Sequence, residues 1–243
     1  MDGDGNRFAI RLFDGIASRY DRWAQMFSLY QYERWRHFLV SRLPRCSTGT
    51  VLDLCTGTAG VAIRIAQRTG GRVVGVDLSP GMLHQAHARL SSTAAGEKIA
   101  LLSGRAESLP FPDRCFDAVC FTFLLRYVDD VPATLAEVVR VLKPGGYLAS
   151  LEFGVPRRMA IRGLWYAYTR LLLPLASRWV SSGWREVGGF LGPSISRFYR
   201  THNLDELKAV WRDVGVDDVA IKSLSLGGAV VMWGTKALST GGK

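Results

Sequence analysis

A small-residue turn and two acids carry the first chemical signal in the chain. The run Val51-Leu52-Asp53-Leu54-Cys55-Thr56-Gly57-Thr58-Ala59-Gly60 sets an apolar strand directly before a tight turn that opens a helix. Such a turn lets a ligand approach the backbone, and the helix N-terminus offers unpaired N–H donors. Val73-Val74-Gly75-Val76-Asp77 is a second apolar strand, and it ends in an acid 20 residues after Gly57. A carboxylate in that position accepts the hydroxyls of a ribose. A dinucleotide would want Gly-x-Gly-x-x-Gly to bring its pyrophosphate to the helix end, whereas this turn has glycine only at 57 and 60. The spacing therefore favours a nucleoside without a pyrophosphate. An ordinary strand-to-helix connection would read the same over the first segment alone.

Two further segments extend the pattern. Arg105-Ala106-Glu107-Ser108-Leu109-Pro110-Phe111 follows a third strand and could hold an adenine edge against apolar side chains. Phe116-Asp117-Ala118-Val119 leads to Thr122-Phe123 at the carboxyl end of a fourth strand, where open α/β sheets place their substrates.

These loops need strands alternating with helices to hold them. Short apolar runs at Val51 to Cys55, Arg72 to Asp77, Ile99 to Ser103, Phe116 to Phe121 and Tyr147 to Phe153 read as strands. Amphipathic stretches at Val61 to Arg68, Gly81 to Leu90 and Pro132 to Leu142 read as crossover helices, and Lys143-Pro144-Gly145-Gly146 as a helix stop with a turn. Residues 7 to 42 read as two helices ahead of Pro44, and residues 157 to 200 break the alternation. A helix over Asn203 to Asp213 then leads to a strand pair, Val216 to Leu224 and Ala229 to Lys236, joined through Gly227-Gly228.

The expected fold is thus α/β: a doubly wound, seven-stranded, mostly parallel sheet with a C-terminal antiparallel hairpin. We expect one domain over residues 1–243, made of a helical cap (1–45), a cofactor-binding core (46–156), a helical lid insertion (157–202) and a closing helix and hairpin (203–243).

At 48% hydrophobic and 11% aromatic residues, with no low-complexity tract, the chain reads as a packed globule. Only Met1 to Asn6 and Ser239 to Lys243 read as loose ends. There is no basic-then-apolar leader at the start, and the longest apolar cluster, Leu171 to Ala176, is too short to span a bilayer. A cytoplasmic protein is expected. Cys46, Cys55, Cys115 and Cys120 lack the paired spacings of a zinc site and read as reduced thiols; the four histidines, His37, His84, His87 and His202, form no ligand cluster, so no metal is expected. The formal charge of +10 draws the chain toward phosphates or an anionic membrane.

Phe13-Asp14 with Ile16-Ala17 and Tyr20-Asp21, then Trp35-Arg36, Val51 to Thr58, Asp77-Leu78-Ser79-Pro80-Gly81-Met82-Leu83 and Ala106 to Phe111 follow one another in order. So do Arg126, Arg140-Val141-Leu142-Lys143-Pro144-Gly145-Gly146, Leu151-Glu152-Phe153 with Pro156, Ser194-Ile195, and Gly234 with Lys236. Over nearly its whole length the chain resembles the class I S-adenosylmethionine-dependent methyltransferases, and more closely the ubiquinone/menaquinone-biosynthesis C-methyltransferase family. The resemblance implies S-adenosyl-L-methionine as cofactor and transfer of its methyl group to a ring carbon of a prenylated quinol. It implies that Thr58, Asp77, Arg105, Ala106 and Thr122 contact the cofactor; Asp53, Thr56, Gly57, Leu78, Met82 and Glu107 stand in the same motifs and complete the candidate set. Arg126 falls where the family has an arginine near the reacting groups, and Tyr20 on the helices that cap the site.

The chain departs from the family near the acceptor. The family's Gly-Thr-Gly-Asp turn is Gly57-Thr58-Ala59-Gly60, and its Gly-Leu-Arg-Asn is Leu124-Leu125-Arg126-Tyr127. The glycine and histidine of Ser-x-Gly-x-His-x-x-Trp are Tyr30 and Tyr32, and Tyr-x-Tyr-Leu is Gly188-Gly189-Phe190-Leu191.

Methyl transfer from a sulfonium is an in-line displacement, helped when the acceptor hydroxyl loses its proton. Arg126 is the candidate to steady the resulting oxyanion, and a carboxylate or an activated water, with Tyr20, to take the proton. The alternatives are a structural ion pair under the helix at 132 to 142 for Arg126 and core packing for Tyr20. Glu152 could reach substrate or tie down the next loop. Residues 157 to 185 carry six arginines, five Trp or Tyr residues and no acid. As a helix they place Leu164, Tyr168, Leu171, Leu172 and Leu175 on one face, with Arg158, Arg162 and Arg170 opposite. That face fits a lid closing over a lipophilic acceptor at an anionic membrane, or an amphipathic cover on the sheet.

The expected partner is a lipophilic aromatic or quinol small molecule, with peripheral membrane association and a homodimer both open. Three other functions remain: an O-, N- or C-methyltransferase of an aromatic natural product or phospholipid headgroup; a nucleic-acid methyltransferase; and a cofactor-binding protein without chemistry. Thr122-Phe123-Leu124 stands where amino-directed nucleic-acid methyltransferases carry Asn-Pro-Pro-Tyr, so no nucleic-acid partner is expected.

Overall fold

Val51, Leu52 and Leu54 are buried almost completely, which is why the strand they form, β1 (Thr50–Leu54), lies inside the sheet rather than at its edge. A computed structural model describes residues 4–45 and 48–238 of the chain. The expectations made for Met1 to Gly3, Cys46 and Ser239 to Lys243 fall outside those residues. β1 is flanked in parallel by β2 (Arg72–Asp77) and β4 (Phe116–Thr122); β3 (Ile99–Ser103) lies beyond β2, and β5 (Leu142–Phe153) beyond β4. The hairpin of β6 (Val216–Leu224) and β7 (Ala229–Lys236) adds to β5 in antiparallel sense. The seven strands run in the order β3-β2-β1-β4-β5-β7-β6, the architecture expected. Sheet order reverses between β1 and β4, so the loops leaving those strands diverge and open a crevice at their carboxyl ends.

Alternation along the strands feeds two cores. Val51, Val73, Ala118 and Ala149 face α3 (Tyr32–Ser41), α4 (Gly60–Thr69) and α5 (Pro80–Leu90). Leu52, Val119, Phe121 and Leu148 face α6 (Val131–Val141) and α10 (Leu204–Asp213), with Trp211 fully buried among them. Local signals set the helix starts. Ser79 and Asp130 accept from the Met82 and Ala133 N–H groups ahead of Pro80 and Pro132, and Asn203 with Glu206 makes a capping box.

Three expectations need correction. The prelude holds three helices rather than two: α1 (Asp4–Asp14), α2 (Tyr20–Phe27) and α3. Asn6, read as part of a loose end, is buried and donates to Glu107 Oε1 at 2.9 Å. Lys143-Pro144-Gly145-Gly146 is no turn ahead of a strand. Leu142 already pairs with Phe116, and the register slips between Phe116 and Ala118, so the Pro-Gly-Gly segment is an irregularity within β5.

The insertion comprises α7 (Met159–Ala167), a π turn (Tyr168–Leu172), α8 (Leu173–Ser177) and the longer α9 (Ser182–Thr201). Between α7 and α8 the buried side consists of Thr169, Leu173 and Ser177, one helical turn apart. Against them lie Gly188 and Gly192, where a Cβ would stand 2.0 Å from Ser177 Oγ and 2.8 Å from the Thr169 carbonyl. Glycine at 188 thus sets how closely α9 crosses α8. Of the two readings open for the apolar face, the cover on the sheet does not hold, because Leu164, Leu171, Leu172 and Leu175 are all exposed. Of that set only Tyr168 turns inward, donating from Oη to the Phe27 carbonyl at 2.6 Å.

Candidate functional site

Asp53 holds the shape of the turn after β1. Its two oxygens accept from Thr56 Oγ1 at 2.7 Å and Cys120 Sγ at 3.3 Å, and burial pushes its carboxyl up to about 6. With Thr56 N–H donating to the Val76 carbonyl at 3.0 Å, the chain then passes through positive φ at Cys55, Gly57 and Ala59. Ala59 keeps a left-handed conformation that a glycine would adopt more cheaply. Gly60 is required by space, since a Cβ there would lie 2.1 Å from Arg36 Nη2.

Arg36 fills the space beside Gly60. Its buried guanidinium lies over the Tyr32 ring at 4.5 Å and donates to Asp21 Oδ1 at 3.1 Å and Glu33 Oε1 at 3.0 Å. The other Asp21 oxygen accepts from Thr58 Oγ1 at 2.5 Å and pairs with Arg89 at 2.8 Å. One acid from α2 therefore ties the cap to the turn and to α5. Sequence reading missed Arg36, Asp21 and Arg89 as site-shaping residues because their contacts span 15 to 68 positions. The only prior signal was the adjacency Trp35-Arg36 and Tyr20-Asp21.

Asp77 closes β2 with Oδ2 accepting from Gly57 N–H at 2.8 Å and Oδ1 from Ser79 N–H at 2.9 Å. Burial raises its carboxyl above the ordinary range, against those backbone donors. Around it a cavity is lined by Thr56, Gly57, Thr58, Leu78 and Met82 on one side and by Arg105, Ala106, Glu107 and Thr122 on the other, with Ile10 and Phe13 of α1 as its roof. Ten of the eleven candidate cofactor residues meet at this cavity. Asp53 does not; it lies behind the turn and acts on its shape. A carboxylate with free lone pairs, a turn of small side chains, apolar Leu78 and Met82, and a polar Glu107 fit a nucleoside with an amino-acid tail.

A second cavity adjoins the first and is almost wholly apolar. Ile16, Phe27, Phe153, Leu173, Trp184, Val187 and Phe190 line it, and Arg126 is the charged residue on its wall. Phe13, Tyr20, Tyr32, Phe123 and Tyr127 border both cavities and so form an aromatic partition between them. Tyr20 meets Tyr32 and Phe13 edge-on at 6.2 Å and lies near-parallel to Trp184 at the same distance. Burial, reinforced by Tyr32, holds the Tyr20 phenol well above its ordinary value, so it is a neutral hydrogen-bond donor at neutral pH.

Arg126 is fixed on three sides. Its guanidinium lies over the Tyr127 and Phe153 rings at 5.0 and 5.3 Å, and Nη1 donates to Ser194 Oγ at 3.3 Å. Glu152 stands behind it with Oε1 accepting from Leu125 N–H at 2.9 Å. Glu152 lines neither cavity; it ties down the loop after β4, the second of the two roles open in the sequence.

Comparison with known proteins follows this geometry. The model of the ubiE/COQ5 methyltransferase family matches residues 3–236. The chain is 37% identical over 232 residues to the ubiquinone/menaquinone biosynthesis C-methyltransferase UbiE of Desulfotalea psychrophila, covering 93% of this chain and 89% of that one. It is 34% identical to the demethylmenaquinone methyltransferase of Geobacillus kaustophilus, covering 93% and 95%. Among solved structures it resembles a putative methyltransferase of Haloferax volcanii in complex with its Trm112 activator, with a TM-score of 0.63 and 20% identity over 93% of this chain and 97% of that one. A possible histamine N-methyltransferase of Thermotoga maritima gives a TM-score of 0.61 and 22% identity over 93% and 99%. These structures share the fold.

Proposed function

The chain belongs to the ubiE/COQ5 methyltransferase family and is an S-adenosylmethionine-dependent methyltransferase, and from that premise we propose that it methylates a ring carbon of a prenylated quinol. The observation that carries this reading is the adjacency of the two cavities: the polar one around Asp77 and an apolar chamber with one arginine on its wall share five aromatic side chains. A prenylated ring needs both an apolar home for its chain and a cation beside its oxygen.

S-adenosylmethionine, when bound, supplies the methyl group from its sulfonium. Asp77 would hold the ribose hydroxyls, Leu78, Met82 and Ala106 the adenine, and Thr58 with Arg105 the amino-acid tail. Arg126 would steady the oxygen of the acceptor as its hydroxyl loses a proton, which raises electron density on the ring carbon that attacks. Its position between two rings excludes water from that charge and strengthens the interaction. Tyr20, a neutral phenol, orients the acceptor by donating to it. No carboxylate lines the apolar chamber among the described residues, so the proton passes to water rather than to an acid of the chain. An acceptor of that solubility would bring the reaction to the periphery of a membrane. Among the described residues no helix is long and apolar enough to cross one.

Steady-state methylation of a naphthoquinol series differing only in prenyl length tests this reading. The kcat/KM should rise at least about tenfold from no chain to the first prenyl units, since each buried methylene contributes about 0.8 kcal/mol. Equal kcat/KM across the series would contradict it.

A further inference from the structure

We propose that the outer face of the insertion is a docking surface for an anionic lipid bilayer. The proposal deepens the reading above, which needs a source of lipid-soluble acceptor, but it rests on a separate set of residues.

Leu164, Leu171, Leu172 and Leu175 are 72%, 61%, 59% and 55% exposed, and the ridge they form runs from Met159, 80% exposed, to Trp179, 91% exposed. The inner side of the same segment is already engaged, because Thr169, Leu173 and Ser177 pack on α9. Folding therefore leaves the ridge without cover, and apolar rows of this size on a protein surface mark a contact with another apolar body. Tyr168, bonded to the Phe27 carbonyl, ties the ridge to the neighbouring loop on which Leu29 and Tyr30 are also exposed.

Charge selects the occupant. The six arginines between 157 and 185 make no ion pair among the described residues, and no acid interrupts them. Arg157 and Arg158 stand at the start of the ridge, Arg170 lies on the flank of the helix over the Tyr166 ring at 4.5 Å, and Arg178 falls between Leu175 and Trp179. A second copy of the chain brought onto this face would oppose arginine with arginine. A bilayer with anionic headgroups satisfies both features at once: the leucines and Trp179 enter the acyl boundary, and the guanidinium groups stay at headgroup level. Trp is the side chain suited to that depth, with an apolar body and one N–H donor.

The ridge also adjoins the chamber. Leu173 and Trp184, from the underside and the next helix, line the apolar cavity beneath it. An acceptor leaving the bilayer would meet that cavity over a path walled by the insertion.

Sedimentation of the full chain with vesicles tests the proposal without cofactor or acceptor, so its outcome is independent of whether the quinol reading holds. Vesicles of phosphatidylcholine alone are compared with vesicles that also contain phosphatidylglycerol, for the wild type and for the triple variant Leu164→Gln, Leu171→Gln, Trp179→Ser. These three residues touch neither cavity, and a thermal melt checks that the variant folds. The wild type should bind the phosphatidylglycerol vesicles, weaken as salt rises, and lose about tenfold or more in affinity in the variant. Equal binding by variant and wild type, no binding to anionic vesicles at low salt, or a dimer in ultracentrifugation that the variant abolishes would each overturn it.

Discussion

Arg126 Nε lies 4.0 Å from Glu152 Oε2, both side chains are buried, and neither atom has a hydrogen-bond partner among the described residues. The pair is thus held in opposition by the loop and ring contacts around it rather than by a bond of its own. Burial outweighs the attraction of Arg126 and pushes the Glu152 carboxyl from 4.5 up to about 7.

A carboxyl whose value rises on folding stabilises the native state below its unfolded value, and that contribution is lost as pH climbs through the folded one. Glu152 should therefore cost stability progressively between about pH 4.5 and about pH 7. Glu152→Gln removes that titration. In denaturant melts, the stability of Glu152→Gln relative to wild type should increase by as much as about 3 kcal/mol from pH 4.5 to pH 8, since a tenfold change in proton affinity corresponds to about 1.4 kcal/mol. A difference that stays constant with pH would show that folding does not raise the Glu152 carboxyl.

Arg126 lines the apolar chamber and not the cavity around Asp77. Arg126→Ala should lower kcat by about 100-fold or more, the usual effect of losing one donor to a developing oxyanion, while the calorimetric affinity for S-adenosylmethionine stays within a factor of about two. Loss of cofactor affinity equal to the loss of rate would assign Arg126 to the fold of the site.

Asp77 has the converse expectation. Asp77→Asn keeps an acceptor but loses the charge, and hydrogen bonds to charged groups contribute about 1.5–3 kcal/mol. Affinity for S-adenosylmethionine should fall about 10- to 100-fold by calorimetry. Because Asp77 also accepts from Gly57 and Ser79, a small fall in melting temperature should accompany it.

Gly60→Ala places a methyl into the Arg36 guanidinium. Overpacking of this kind costs about 1–3 kcal/mol, and here the displaced group also holds Asp21 against Thr58. The variant should melt lower and bind cofactor more weakly. Unchanged melting and affinity in Gly60→Ala would mean that Arg36 moves aside freely.

The sheet, and the residues that line the cavity around Asp77, were legible because their signals are local. Strand periodicity, a small-residue turn and an acid at fixed spacing lie within single segments, and ten of eleven candidates duly meet around Asp77. Asp53 sits in the right motif but points behind it, since a strand alternates its faces and sequence spacing does not say which face opens to the ligand. The Pro-Gly-Gly segment at 144–146 reads as a turn by composition, yet strand pairing from Leu142 absorbs it as an irregularity. Helical periodicity groups Leu164, Leu171 and Leu175 correctly, but only the close approach of Gly188 to Ser177 decides that the opposite side is buried. The Arg36 network was not legible at all, because each of its bonds joins residues distant along the chain except that to Glu33.

The most direct measurement of the central claim is mass analysis of products after incubating the purified chain with methyl-labelled S-adenosylmethionine and a reduced, solubilised membrane-lipid extract. The account predicts label on a ring carbon of a prenylated quinol, dependent on Arg126. Label confined to a polar aromatic or a phospholipid headgroup, or tight cofactor binding with no labelled product, would contradict it.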